Sequence, residues 1–250
     1  MCGIIGCTAR EAPVVAAILD GLKRLEYRGY DSAGIAVLDG SKLTVVREVG
    51  KIHKLEQVLS NGSRPTGRTG LGHTRWATHG RPSESNAHPH QSLSGDVVAV
   101  HNGIIENYRD LRASLIARGH RFASETDSEV IPHLIEAHDR GDFVQAVLGA
   151  VRELRGSFAI SAMHRAHPDT VIGVRKDSPL IVGLGDGCNF LASDVAAVLE
   201  HTKRVIFLEE GDVAVVTASE VAIYDFDGKR LDRPITQVTW DLARAEKGGY

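Results

Sequence analysis

Residues 1–9 read Met-Cys-Gly-Ile-Ile-Gly-Cys-Thr-Ala, and within them 3–9 form an apolar, strand-like stretch that begins almost at the first residue. The period then changes. Val14, Ile18, Leu22 and Leu25 recur at helical spacing behind Pro13, which suits a first helical turn. Residues 34–38 and 43–48 read as two strands joined by Asp39-Gly40, a hairpin signal. A short helix is predicted over 51–59, a Gly/Ser/Pro-rich loop over 60–68, a strand over 70–76 and a polar loop over 77–91. Residues 96–101 form a strand entering an Asn102-Gly103 turn, and helices are expected over 107–117, 127–140 and 143–153. From Ser157 onward the chain turns to short β-rich runs: 158–163, 170–175, 180–184, 188–192, 204–208, 212–217 and 222–225. Many short strands with a few long helices predict an α+β fold of antiparallel sheets with helices layered over them. There is no internal repeat, no low-complexity segment and no sign of a division into two domains.

Composition narrows the function classes. The 250 residues are 42% hydrophobic and 24% charged, the balance of a folded domain with a substantial core. The formal charge of −3 gives no reason to expect nucleic acid or an anionic membrane surface as a partner. No apolar run reaches spanning length, and the first residues lack the basic start of a secretory signal. Three scattered cysteines, Cys2, Cys7 and Cys188, make no disulfide framework, so a reducing cytoplasm is expected. Residues 241–250 are charged and Gly-rich and read as the start of a linker, leaving 1–240 as one domain.

Cys2 carries the most chemical information. A small residue at position 2 permits enzymatic removal of Met1, leaving a cysteine with both a thiol and a free α-amine. The amine titrates near ~7.7–8.0 and the thiol near ~8.5, so the amine can take the thiol's proton at neutral pH. Nucleophile and base then share one residue. The alternative is a small apolar residue opening a buried strand, which is the reading preferred for Cys7. Acyl transfer from an amide needs donors aimed at the oxygen that becomes negative, and Asn102-Gly103 supplies a side-chain amide and a flexible N–H. The same dipeptide also makes a plain turn. Arg75 offers the fork a carboxylate prefers. Asp127 suits an ammonium group, or alternatively a helix N-terminus. His73, His79, His88, His90 and His101 cluster in mid-chain, but their spacing matches no zinc pattern, and no metal is expected there. Gly67-Arg-Thr-Gly70-Leu-Gly72 has neither dinucleotide nor P-loop spacing, and no cofactor is expected.

Several longer motifs stand in one order: Met1-Cys-Gly-Ile-Ile-Gly6, Leu25-Glu-Tyr-Arg-Gly-Tyr-Asp-Ser-Ala-Gly-Ile-Ala36, His73-Thr-Arg-Trp-Ala-Thr-His-Gly80, Asn86-Ala-His-Pro-His90, Val100-His-Asn-Gly-Ile-Ile-Glu-Asn107 and Glu125-Thr-Asp-Ser-Glu129. Together they resemble the class II glutamine amidotransferases, and among them the glutamine–fructose-6-phosphate aminotransferase family. The second half of the chain resembles that family more loosely. The resemblance implies a four-layer αββα sandwich of the N-terminal-nucleophile hydrolase type. It implies Cys2 as nucleophile with its own amine as base, and Asn102 with Gly103 as oxyanion hole. Arg75 and Asp127 would hold the carboxylate and ammonium of L-glutamine, with Thr78 and His79 on a loop over the substrate. Trp76 would gate an ammonia channel. The implied partners are sugar-isomerase domains of the same full-length chain, itself a homodimer. A rival within the class, the amidophosphoribosyltransferases, carries His-Arg-Gly-Gln where this chain has Tyr27-Arg-Gly-Tyr30, and lacks Trp76-Ala-Thr-His79. A rival of another kind is an inactive binding domain on the same fold, against which Cys2, Arg75 and Asp127 all count.

Overall fold

A computed structural model of the chain describes residues 2–62, 64–76 and 80–239. Met1, Thr78, His79 and the expected linker at 241–250 lie outside the described residues. The strands run in chain order as β1 (Gly3–Ala9), β2 (Ser32–Asp39), β3 (Lys42–Val49), β4 (Thr69–Arg75), β5 (His90–Gln91), β6 (Val97–Ile105), β7 (Gly156–His164) and β8 (His167–Lys176). They continue as β9 (Ile181–Leu184), β10 (Cys188–Ala192), β11 (Arg204–Phe207), β12 (Val213–Val216), β13 (Val221–Tyr224), β14 (Arg230–Leu231) and β15 (Thr236–Gln237). The helices are α1 (Val15–Leu25), α2 (Ile52–Asn61), α3 (Tyr108–Ala117), α4 (Val130–His138) and α5 (Phe143–Glu153).

Two sheets result. One has the order β15-β11-β9-β10-β1-β4-β2-β3 and the other β14-β13-β12-β8-β7-β6-β5, and their paired strands run antiparallel. Alternation along each strand decides what faces what. In β1, Ile5 and Cys7 join the core beneath α1 and α2, whereas Ile4 belongs to the core between the sheets. In β6, Val97 and Ala99 face α3–α5, whereas Val98 and Val100 face the first sheet. Strands apolar on both faces are buried on both, so helices must cover the outer faces. Ile18 and Leu22 of α1 and Leu55 of α2 do so on one side, and Ile131 of α4 and Phe143 of α5 on the other. The architecture is therefore the αββα sandwich. Among the described residues, no helix is long and apolar enough to cross a membrane.

Three local expectations are corrected. Asn102 and Gly103 are not a turn: β6 runs through them to Ile105, with Asn102 paired to Ala159 and Gly103 to Phe158. A ladder against β7 that continues to Ile105 overrides the local turn preference of Asn-Gly. Gly103 still takes a positive φ of 123°, and a Cβ there would stand 2.0 Å from the main-chain oxygen of Ser157. Second, α4 begins at Val130 rather than at Asp127, whose side chain does not cap it. Third, β4 ends at Arg75, leaving Trp76 just beyond the strand.

Candidate active site

The site lies where the ends of the two sheets meet. Gly3 of β1 pairs with Thr74 of β4, so antiparallel register sets Cys2 beside Arg75 and Trp76. The Trp76 N–H donates to Cys2 Sγ at 3.2 Å, and the thiol faces the Trp76 main-chain oxygen at 3.6 Å. Across the sandwich, Asn102 Nδ2 donates to the main-chain oxygen of Cys2 at 2.9 Å. One hydrogen bond thus ties β6 of the second sheet to the residue that opens the first.

The orientation of the Asn102 amide follows from its partners. A carbonyl oxygen only accepts, so nitrogen must face Cys2 and Oδ1 must face His73. His73 Nε2 lies 3.0 Å from Asn102 Oδ1 and 3.1 Å from the His101 main-chain oxygen, both acceptors, so it carries the hydrogen. Burial pushes the His73 pKa down to about 3, leaving a neutral ring. His88 packs on His73 with ring centroids 4.1 Å apart, and His90 packs on His88 at 4.6 Å. Burial holds His90 down to about 3 and His101 to about 4, and His88 well below its ordinary value.

Asp127 approaches from the loop ahead of α4, where its Oδ2 accepts from the Ile105 N–H at 2.7 Å. Its neighbours anchor that loop to buried histidines: Ser128 Oγ lies 2.8 Å from His101 Nδ1, and Thr126 Oγ1 3.1 Å from His90 Nε2. Glu129 takes the Ala123 and Ser124 N–H groups at 2.8 and 2.7 Å, closing the same loop on itself. Arg75 and Asp127 are 4% and 5% exposed, so both charges are held out of bulk water. Burial lowers the Arg75 pKa, and the negative charge available at Cys2, Asp31 and Asp127 acts against that loss. The Arg75 Nη2 donates to the Gly80 main-chain oxygen at 3.2 Å. Burial raises the Cys2 thiol pKa, while the Trp76 backbone hydrogen bond and the nearby Arg75 oppose the rise.

Cys2, Arg75, Trp76, His88, His101, Gly103 and 126–128 line one cleft, with a cavity volume of about 30 Å³. That is room for roughly two waters, which suits the reacting end of a ligand. The sequence reading brought Cys2, Arg75, Trp76, Gly103 and Asp127 to this cleft, and Asn102 reaches it through Cys2. It weighed His73 and His101 only as possible metal ligands and gave them no part beside Asn102 and Asp127, where the structure places them. It also missed Gly29: a Cβ there would meet the Trp76 nitrogen at 2.7 Å, so the segment before β2 packs directly on the Arg75–Trp76 backbone. Tyr30 then sets its ring edge-on to Trp76 at 5.5 Å.

Residues 73–200 match the family described as glutamine amidotransferase domain. The chain belongs to that family. This amidotransferase domain is 49% identical over 250 residues to the glutamine–fructose-6-phosphate aminotransferase (isomerizing) of Aquifex aeolicus, covering all of this chain and 42% of that protein. It is 50% identical to the enzyme of the same name from Gloeobacter violaceus, covering 41% of it. The chain thus spans about two fifths of the length of the curated relatives it matches. Among solved structures, the glutamine phosphoribosylpyrophosphate amidotransferase of B. subtilis is 25% identical with a TM-score of 0.76, over 90% of this chain and 49% of that one. A class-II glutamine aminotransferase domain protein from Silicibacter pomeroyi, 16% identical with a TM-score of 0.62, shares the fold over 90% of this chain and 99% of its own.

Proposed function

We propose that this domain hydrolyses L-glutamine to glutamate and ammonia, with Cys2 as nucleophile once Met1 is removed. The observation that carries the reading is the Cys2–Asn102 contact across the sandwich, made in a cleft where Arg75 and Asp127 also converge. The freed α-amine of Cys2 takes the thiol proton, and the sulfur attacks the side-chain carbonyl carbon of glutamine. Asn102 Nδ2 has a second hydrogen besides the one given to the Cys2 oxygen, and with the Gly103 N–H it answers the charge that develops on the substrate oxygen. The C–N bond breaks as the amine returns its proton to the leaving ammonia, and water then cleaves the γ-glutamyl thioester. Arg75 holds the substrate α-carboxylate and Asp127 its α-ammonium, and Thr78 and His79, which lie outside the described residues, contribute to glutamine binding in this reading.

The ammonia acceptor is read from relatives about 50% identical, all named for fructose 6-phosphate, rather than from the 25% identical phosphoribosylpyrophosphate enzyme. In the whole protein, isomerase domains of the same chain would receive ammonia past Trp76 and convert fructose 6-phosphate to glucosamine 6-phosphate, as a cytoplasmic homodimer. Residues 1–240 are the glutaminase domain in this reading, and 241–250 lead into the remainder. The test is glutamate release from glutamine by wild type and by Cys2→Ala. Folded Cys2→Ala protein retaining more than about a thousandth of the wild-type rate would exclude Cys2 as nucleophile.

A further inference from the structure

A second cluster of ligating groups lies outside the cleft. Gly119, with φ 96°, closes the end of α3, and the His120 N–H turns back to the Leu115 oxygen at 3.0 Å. This sets His120 against α4, where His133 and Glu136 stand three residues apart on one helical face. His120 Nδ1 lies 2.9 Å from His133 Nδ1 and 3.7 Å from Glu136 Oε2, and the three donor atoms fall within 4.8 Å of one another.

We propose that His120, His133 and Glu136 bind a divalent transition metal of the zinc class. Metal–nitrogen bonds of ~2.0–2.1 Å at tetrahedral angles put donor atoms roughly 3.3 Å apart, close to the separations seen here. Two imidazoles and one carboxylate form a set that favours zinc, cobalt, nickel or copper over calcium or magnesium, and leave a fourth position for water. The groups behind the donors fit as well. Glu129 Oε1 sits 3.9 Å from His133 Nε2, on the far side of the ring, which favours the hydrogen there and leaves the Nδ1 lone pair facing His120. Glu136 is held by the Leu93 N–H on Oε2 and by Ser94 on Oε1, with Ser92 adding a further hydrogen bond, so its carboxylate is fixed in place beside His120. Phe122 packs on the His133 ring with centroids 4.4 Å apart and fixes its plane. Arg118 is a cation beside His120, opposed there by the carboxylate of Glu136. Without metal, the two Nδ1 atoms must share a single hydrogen between them, and the metal would take that hydrogen's place. The proposal does not depend on the reading of the Cys2 cleft.

The test is titration of the full, tag-free chain with Co²⁺ as a spectroscopic probe and Zn²⁺ as competitor, alongside His120→Ala and Glu136→Gln. Wild type is expected to bind one equivalent with the visible absorption of a tetrahedral N/O site, displaced by Zn²⁺. Each variant, its fold checked by circular dichroism, is expected to bind at least tenfold more weakly. Zn²⁺ should raise the melting temperature of wild type only. Three results would overturn the site: no stoichiometric binding by wild type, unchanged binding by folded His120→Ala, or a thiolate-to-cobalt charge-transfer band, which would assign the ion to a cysteine.

Discussion

His73 donates its Nε2–H to the side-chain oxygen of Asn102 at 3.0 Å, and that bond turns the Asn102 amide nitrogen toward Cys2. An amide inverted by 180° would point two oxygens at each other and lose both contacts. His73 is thus a positioning residue in the proposed mechanism, acting through Asn102 and not on substrate.

This relationship predicts a pattern of non-additivity. Asn102→Ala, which removes an oxyanion donor, is expected to lower kcat by ~10²–10³ with little change in KM. His73→Ala is expected to lower kcat by about tenfold, because the amide is then free to invert, with KM again near normal. Since His73 works through Asn102, the double variant should be no slower than Asn102→Ala alone. Fully additive losses, or a His73→Ala effect confined to KM, would refute the positioning role.

The buried histidines predict a pH dependence of stability that is separate from catalysis. His73 and His90 titrate at about 3 and His101 at about 4 in the folded chain, against about 6.5 when exposed. The unfolded chain therefore binds more protons between those limits. Stability is complete above pH ~6.5 and falls as pH drops from there toward 4, at up to about 1.4 kcal/mol per pH unit for each histidine. Glu129, held down to about 2 by its hydrogen bonds against the opposing effect of burial, loses its contribution only below ~4.5 and leaves this window clear. Denaturant unfolding at pH 7.5 and 5.5 checks the point. Equal midpoints would mean that the histidine cluster protonates without cost.

How much of this was legible depends on how local each cause is. The helix over 143–153 was readable because its signals adjoin it: Asp142 caps the Gln145 N–H at 3.1 Å, and the apolar face repeats at helical spacing. β5, β14 and β15 were not readable, since two residues carry no period and exist as strands only through their partners. Asn102-Gly103 misled for the same reason in reverse, as pairing with Ala159 and Phe158 is invisible to a local reading. In the site, the chemistry of Cys2, Arg75 and Asp127 could be named from residue type. The register of β1 on β4, which sets Cys2 beside Arg75, could not. The metal-type cluster escaped because His120 and His133 belong to separate elements and match no spacing rule.

Retention of Met1 is expected to abolish hydrolysis. Its carbonyl would convert the Cys2 α-amine to an amide, which cannot take the thiol proton, while the raised thiol pKa set by burial makes spontaneous ionisation scarce. Intact mass and glutamate release measured on one sample decide the matter. Full activity from chains that all keep Met1 would require another base.

Specificity for free L-glutamine is expected to rest on Arg75 and Asp127. The scissile amide is at the side-chain end, so asparagine, or glutamine within a peptide, must be rejected at the distant α-carboxylate and α-ammonium. Both proposed partners are almost fully buried, so a substrate lacking either group loses a charge-assisted contact that bulk water is not there to replace. Asparagine keeps both groups but is one methylene shorter, which draws its amide away from Cys2. Arg75→Lys should be damaging despite its charge, because an ammonium cannot make the two-pronged contact. Asp127 also accepts the Ile105 N–H at 2.7 Å, so its carboxylate is fixed in direction before any ligand arrives. Asp127→Asn can keep that hydrogen bond through its remaining oxygen, and its effect then reports the lost charge. Each variant is expected to raise KM for glutamine at least tenfold with the fold preserved, and wild type should discriminate strongly against glutamine α-amide and asparagine. Wild type that cleaves the α-amide as readily as glutamine, or normal kinetics in both variants, would eliminate the clamp.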